Sequence, residues 1–274
     1  MPDADAASLA EDLALISAAA IEAGRIALGF FGNNPRAWTK GGDSPVTEAD
    51  IASDRSLHAA LTAARPSYGW LSEESADTPE RLGRSRVFVV DPIDGTRGFM
   101  EGNIDWCVSV GIVEKGRPRV GVLFAPARQE LFEATRGGGA RLNGATIASS
   151  RPAEGAALHF AGPLRHMRAL SGAGFEVADR RVTPSLAYRL ALVAAGRIDI
   201  ATASGDARDW DLAAADLLVH EAGGTLCDAE GAPIRYNRPD PRHPALIAAS
   251  PKLAAEAVGP VAGAEAAAAL LRRS

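Results

Sequence analysis

Arg86-Val87-Phe88-Val89-Val90-Asp91-Pro92-Ile93-Asp94-Gly95-Thr96 governs how the rest of the chain is read. The run up to Val90 is almost continuously apolar, which predicts a strand buried on both faces and ending at Asp91. Two carboxylates then stand three residues apart in a turn. Pro92 fixes φ and Gly95 permits a sharp reversal, so a rigid loop can aim both acids inward. The backbone oxygen of Ile93 lies between them as a further donor. Hard oxygen ligands of this kind suit magnesium or manganese rather than zinc. If a helix opens here, the amides of Gly95, Thr96 and Arg97 form a cradle for phosphate. Two acids in a turn are commonly just solvated; the filled pattern, with Glu73-Glu74 upstream, argues for a built site.

Other acids stand at comparable places. Asp50 opens a helix expected over residues 48–64, behind Thr47 as N-cap and with Glu48 in the same first turn. Glu73 and Glu74 follow a short strand, Tyr68-Gly69-Trp70-Leu71. Asp211 follows Trp210 at the start of a helix expected to run to Ala222 and stop at Gly223-Gly224. Carboxylates at element ends can converge, whereas those along a helix face usually meet water. Clustered acids without a counter-cation push one another toward protonation. Two cations about 3.5–4 Å apart relieve that and clamp the attacking and leaving oxygens of an in-line displacement at phosphorus.

The remaining pattern is mixed α and β. Leu9, Leu13, Ile16, Ile21 and Ile26 mark an amphipathic helix from about residue 7 to 31, closed by Gly32-Asn33-Asn34-Pro35. The polar loop Lys40-Gly41-Gly42-Asp43-Ser44-Pro45 leads to Val46 and Thr47. Strands are expected over 106–114, 119–124 and 130–135 as an antiparallel meander, and Asn143-Gly144 reads as a hairpin turn rather than part of a phosphate loop. After about Ser149 helices alternate with short strands: 158–160, 198–201 and 245–249 extended, 163–170 and 185–195 helical, then an Ala-rich helix from Pro251. That change predicts an N-terminal α+β subdomain (1–148) carrying most metal ligands, and a C-terminal α/β subdomain (149–274) supplying Asp211 and the substrate rim. A site between the halves is the default expectation. Asp206, Arg208 and Asp209, just before Trp210, are candidates for that rim by loop position. Trp210 itself reads as a packing residue fixing the helix that carries Asp211.

Bulk properties narrow the classes. The 274 residues are 47% hydrophobic and 23% charged, with a formal net charge of −5, a pI near 5.6 and mean hydropathy near zero. This describes a globular chain with a real core and gives no electrostatic case for a nucleic-acid polymer. Cys107 and Cys227 sit in apolar, strand-like contexts and read as free thiols. The N-terminus carries acids where an export signal carries Lys or Arg, and no apolar run suggests a membrane span, so a cytoplasmic protein is expected. No G-x-S-x-G is present, and His58, His159, His166, His220 and His243 show no metal-ligand spacing.

Several motifs in order resemble the inositol monophosphatase superfamily of lithium-sensitive, magnesium-dependent phosphatases. They are Ser44-Pro45-Val46-Thr47-Glu48-Ala49-Asp50, Ser72-Glu73-Glu74-Ser75, Asp91 to Thr96, and Trp210-Asp211-Leu212-Ala213-Ala214-Ala215. Residues 185–199 resemble the segment preceding the active-site face of the second half. The resemblance implies an α/β (α+β) fold, a layered α-β-α-β-α sandwich with metals where its halves meet. It places Glu73, Asp91 and the Ile93 carbonyl on one metal, and Asp91, Asp94 and Asp211 on a second. Two or three Mg2+ ions are implied per site, with Mn2+ as a substitute. Asp50 and Thr96 would orient and help deprotonate the attacking water, with Glu73 completing the catalytic group and Glu74 supporting its neighbour. Phosphate would meet the amides of Gly95 and Thr96.

The substrate implied is a small phosphorylated metabolite. Inositol-specific members read Gly-Glu-Glu where this chain has Ser72-Glu73-Glu74, and carry a glutamate where it has Ser204. The chain looks more like the bacterial 3′(2′),5′-bisphosphate nucleotidases, which convert adenosine 3′,5′-bisphosphate to AMP, and Arg97 could meet a second phosphate there. Inositol-1-monophosphatase is the alternative. Arg97 with Phe99 and Gly102 is also seen in histidinol phosphatases. A non-catalytic metal or phosphate sensor would keep the ligands and lose the water-positioning pair; Asp50 and Thr96 are both present. Monomer and homodimer both stay open.

Overall fold

The computed structural model describes residues 2–40 and 45–271; Gly41, Gly42, Asp43 and Ser44, with the first residue of the Ser44–Asp50 motif, lie outside the described residues. Its elements run α1 (Pro2–Phe30), β1 (Ala37–Thr39), β2 (Pro45–Thr47), α2 (Glu48–Ala64), β3 (Gly69–Ser72), β4 (Arg86–Asp94), α3 (Thr96–Met100), β5 (Cys107–Glu114), β6 (Arg117–Ala125), β7 (Glu130–Thr135), β8 (Gly139–Leu142) and β9 (Ala145–Thr146). Then follow β10 (Leu158–Ala161), α4 (Leu164–Gly172), β11 (Val177–Arg181), α5 (Leu186–Ala194), β12 (Ile200–Ala203), α6 (Asp209–Glu221), β13 (Thr225–Asp228), β14 (Leu246–Ala249) and α7 (Pro251–Leu271). A 3-10 turn, Pro79–Gly83, joins β3 to β4.

Two sheets stack with helices outside and between them. The first has seven strands in the order β3-β4-β5-β6-β7-β8-β9, and the second five in the order β11-β10-β12-β14-β13. Helices α1 and α2 cover the outer face of the first sheet, α5 and α6 fill the space between the sheets, and α4 and α7 cover the second. This is the α-β-α-β-α sandwich. The middle layer holds an extensive apolar core in which Leu190, Leu212, Leu217 and Leu218 of the helices meet Val89, Leu123, Leu226 and Leu246 of the strands. Helix α6 is rich in alanine because it lies almost on the backbone of the first sheet. A Cβ placed on Gly121 would come within 2.7 Å of Ala214 O, so the glycine is what permits this approach.

Strand β4 departs from expectation. It continues through Asp94 instead of ending at Asp91. Asp91 pairs with Ser109 and Asp94 with Cys107, so three steps on β4 oppose two on β5. Pro92 has no N–H to give the ladder, and the bulge that follows swings the acids off the regular pleat. The short strands β1, β11 and β13 are further additions; β11 is exposed along most of its length, so no apolar run announced it.

The expectation that no segment could span a bilayer also needs correction. Residues Ala6–Phe30 and Pro251–Leu271 are each long and apolar enough by length and composition. Alanine raises their mean hydropathy, and each helix buries one side against the sandwich while most of its length stays outside it. Leu9, Ile16, Ala20 and Ala23 of α1 pack in the outer core with Leu57 and Leu61 of α2 and with Val110, Val120 and Val122 of the sheet. Leu253, Ala257 and Val261 of α7 pack with Leu170 of α4 and Ile247 of β14.

Candidate active site

The bulge of β4 and the first turn of α6 bring Asp91, Asp94 and Asp211 together, each offering a carboxylate oxygen within 4.8 Å of the others. Asp91 and Asp94 are buried and Asp211 half-buried. Each side chain has one oxygen occupied by the fold. Asp91 Oδ1 accepts from the Ile93 amide at 3.0 Å. Asp94 Oδ2 accepts from the Ser185 hydroxyl, and from the Ala187 amide at 2.5 Å. Asp211 Oδ2 accepts from the Arg208 amide at 2.7 Å. Ser109 of β5 donates to Trp210 O at 3.0 Å, tying the start of α6 to the strand beside Asp91. Trp210 is half-buried against the middle core, in keeping with a packing role.

Electrostatics make the cluster one that a cation would stabilise. Burial, then the charges of Glu73, Asp94, Asp211 and Asp50, push the Asp91 carboxyl well above the usual range. Asp211 rises for the same reasons, burial first and Asp94 next. Asp94 is raised by burial even though Ser185, the α5 amides and Arg189 oppose it. Glu73 is raised by burial against the nearby Lys40 ammonium. An all-oxygen, acidic, converging set of this kind fits a hard divalent cation and offers nothing that a softer metal would prefer.

Glu73 and Glu74 sit beyond the end of β3, where the Glu73 amide donates to Val90 O at 3.2 Å and so holds the pair next to Asp91. Glu74 is ion-paired with Lys40, and burial, partly countered by that ammonium, lifts it to about 7. Lys40 also donates to Glu73 O at 3.0 Å. Asp50 lies at the N-terminus of α2, its Oδ2 accepting from Thr47 N at 2.8 Å and Thr47 Oγ1 at 2.5 Å. Its Oδ1 faces Thr96 Oγ1 at 3.0 Å, which is also 2.9 Å from Ile93 O. Burial raises the Asp50 carboxyl despite these hydrogen bonds.

Helix α3 begins at Thr96 with Gly95 in the left-handed region (φ 98°) and has no side-chain cap. A Cβ on Gly95 would fall 3.1 Å from Ser185, so both the turn and the approach of α5 require glycine. Arg97 is exposed on α3. Asp206 is exposed at a left-handed turn (φ 83°), its amide donating to His243 O. Arg208 is half-buried, with its backbone committed to Asp211. Lys40, Ser109 and Ser185 are the residues near the cluster that sequence reading passed over. Ser185 stands at the head of the expected 185–195 helix, but its partner Asp94 lies 91 positions away.

Asp91, Asp94 and Asp211 thus stand beside a buried Thr–Asp pair where the two sheets meet through α6, the layout of a metal-dependent phosphatase. The chain belongs to the inositol monophosphatase family, whose model matches residues 8–265. It is 36% identical over 220 residues to Nus factor SuhB of Xylella fastidiosa, covering 76% of this chain and 78% of that protein. It is 38% identical over 207 residues to the inositol-1-monophosphatase of Rhizobium meliloti, covering 70% and 75%. The solved structure of an IMPase from Thermotoga maritima superposes with a TM-score of 0.82 at 26% identity, covering 93% of this chain and 98% of that one. It is therefore a metal-dependent phosphomonoesterase acting on a phosphorylated metabolite.

These relatives carry the names SuhB and inositol-1-monophosphatase, which favours the inositol-1-monophosphatase alternative over the bisphosphate-nucleotidase expectation. The two positions that set this chain apart from inositol-specific members are both engaged by the fold. Ser72 Oγ donates to Asp54 Oδ1 at 2.5 Å, and Ser75 Oγ to Asp54 Oδ2 at 2.7 Å, so Ser72 braces α2. Ser204 Oγ is likewise engaged, accepting from Arg165 at 2.6 Å.

Proposed function

We propose that the chain is a magnesium-dependent inositol-1-monophosphatase. The observation that carries the catalytic reading is the Thr96–Asp50 hydrogen bond beside the carboxylate cluster; the named Rhizobium meliloti relative supports the substrate. Glu73, Asp91 and the Ile93 carbonyl would hold one Mg2+, and Asp91, Asp94 and Asp211 would hold a second, with Mn2+ able to replace it. Magnesium, when bound, supplies Lewis-acid stabilisation of the phosphoryl and leaving-group oxygens and makes water more acidic.

The chain's own residues do the rest. Thr96 gives its hydroxyl proton to Asp50 Oδ1, which leaves the Thr96 oxygen free to accept a proton from the attacking water. Thr47 fixes the other Asp50 oxygen, so the carboxylate cannot rotate away. Burial makes Asp50 a stronger base than a surface aspartate. The amides of Gly95 and Thr96, at the uncapped start of α3, donate to phosphate oxygens. Lys40 neutralises Glu74 and holds the Glu73 peptide in place. Arg97, Asp206 and Arg208 are the proposed rim for the remainder of the substrate.

Phosphate release from inositol 1-phosphate, adenosine 3′,5′-bisphosphate and histidinol phosphate, each with magnesium and with chelator, tests the reading. Magnesium-dependent preference for inositol 1-phosphate is expected. Preference for either of the others would overturn the substrate, and metal-dependent turnover surviving in Asp91→Asn would overturn the site.

A further inference from the structure

The metal ligands come from two separate parts of the fold, so something must fix the distance between them. Glu73, Asp91 and Asp94 belong to the first sheet, while Asp211 rides on α6. Away from the cluster, a chain of polar contacts spans the same gap. Arg81, in the turn between β3 and β4, is buried, and its backbone is pressed against β3, where a Cβ on Gly69 would meet Arg81 Cα at 3.1 Å. Its guanidinium is held by Asp77 through Nε (2.6 Å) and Nη2 (2.9 Å). The same group reaches across to Asn237, donating from Nη1 to Oδ1 at 2.6 Å, and to Arg238 O from Nη2 at 3.0 Å.

Asn237 passes the contact on. Its amide donates to Asp209 Oδ2 at 2.7 Å, and Asp209 is the first residue of α6. The other oxygen, Asp209 Oδ1, lies 2.6 Å from His243 Nε2. Both Asp209 and His243 are buried. The backbone of residues 237–243 is also zipped to the loop leading into α6: Asp209 N donates to Pro241 O, and His243 N to Ala207 O. Asn237 takes a left-handed conformation (φ 53°), which asparagine tolerates and which turns its amide and side chain toward different partners.

We propose that Arg81 and Asn237 form a strut that sets the spacing between Asp211 and the first-sheet ligands, and that Asn237 is a positioning residue for metal binding. The inference rests on the metal-site reading above and extends it to residues that touch neither metal nor substrate. Removing a group that hydrogen-bonds a metal ligand typically costs about 10–100-fold in metal affinity, and a strut acting through α6 is expected at the lower end of that range. A residue that merely stabilised the fold would lower the melting temperature and leave the affinity of the folded protein unchanged.

The test is Mn2+ binding to the full chain, followed by electron paramagnetic resonance without substrate, with melting temperature recorded alongside. Asn237→Gly keeps the left-handed conformation and the amide that reaches Asp209, and deletes both side-chain contacts with Arg81, the acceptor for its guanidinium and the longer donation from Nδ2 to Arg81 O. Its Mn2+ dissociation constant is expected to rise about 10-fold or more. Asn237→Asp retains both the conformation and an acceptor, and is expected to stay within about three-fold of wild type, on a scale where outer-shell losses reach 10-fold. Arg81→Lys, which keeps the charge and loses the fork, is expected to weaken binding like Asn237→Gly and decides the matter if that variant does not fold. Unchanged affinity in folded Asn237→Gly or Arg81→Lys, or equal loss in Asn237→Asp, would overturn the strut. Failure of the wild-type chain to bind Mn2+ would instead overturn the metal-site reading, and the strut with it.

Discussion

Thr96 Oγ1 and Asp50 Oδ1 stand 3.0 Å apart, although 46 residues separate them in the chain. Thr96 reaches this place from the start of α3, just past the β4 bulge, and Asp50 from the first turn of α2. Because Thr47 immobilises the far oxygen of Asp50, the near oxygen is left with a single good partner. The hydroxyl has Ile93 O as a second acceptor at 2.9 Å, and turned to Asp50 it can pass a proton from the site to that carboxylate.

Thr96→Val keeps the shape and removes the relay. Turnover at saturating magnesium is expected to fall about 10²–10⁴-fold, the usual span for losing a positioned acid–base group. Mn2+ affinity should stay close to wild type, because the ligand carboxylates are untouched. Initial rates across a magnesium titration separate the two quantities; a variant with full turnover but poor metal affinity would show that Thr96 serves the metal instead.

Removing the metal should make stability depend on pH. Asp91, Asp94, Asp211, Glu73 and Glu74 all bind protons more tightly in the folded chain than in the unfolded one. The folded state then carries extra protons above their ordinary values near 4, and its stability falls as pH rises through the raised folded values. For Glu74 that window extends to about 7. Cations compensate the ionised cluster, so the melting temperature in magnesium should exceed that in chelator by a margin that grows from about pH 5 to about pH 7. Thermal melts across that range measure the margin, and a constant one would count against a buried, mutually repelling cluster.

The position of α6 can be tested from the sheet side. Gly121→Val would place side-chain carbon against Ala214 O, where even a Cβ comes within 2.7 Å. Overpacking of this kind costs about 1–3 kcal/mol. The helix carries Asp211, so its displacement should also weaken metal binding. Urea unfolding and Mn2+ titration are expected to move together; loss of stability with unaltered metal affinity would mean that the sheet yields and the helix does not.

What the sequence disclosed follows from the range of each signal. Helix α2 was legible to the residue, because Thr47, Glu48 and Asp50 form a local start signal and the capping box is present. The meander of β5, β6 and β7 was legible through its apolar runs and short turns. The acids were legible as a set because each sits at the end or start of a regular element. Strand β11 was not, since its side chains are mostly exposed and carry no alternation. Nor was the use of Ser72: a serine beside two glutamates looks like a site residue, and only the contact with Asp54, 18 positions earlier, shows that it braces a helix. Long-range partners of single hydroxyls leave no periodic trace in a sequence.

Ser185 illustrates the same limit and offers the last test. Its hydroxyl caps α5, accepting from Tyr188 N at 3.0 Å, and donates to Asp94 Oδ2. The first role belongs to the fold and the second to the site, and a pair of substitutions separates them. Ser185→Ala removes both and should cost about 0.5–2 kcal/mol of stability through the cap. Asp94 Oδ2 would keep the Ala187 amide as its partner but lose the hydroxyl that fixes its rotation, so Mn2+ affinity should fall about 10-fold. Ser185→Asp retains a capping oxygen while replacing the donor with a second negative charge beside Asp94. It should recover little or no metal affinity even where it recovers helix stability. Chemical denaturation paired with Mn2+ titration of both variants distinguishes the roles, and metal affinity that tracks stability alone would show that Ser185 acts only as a cap.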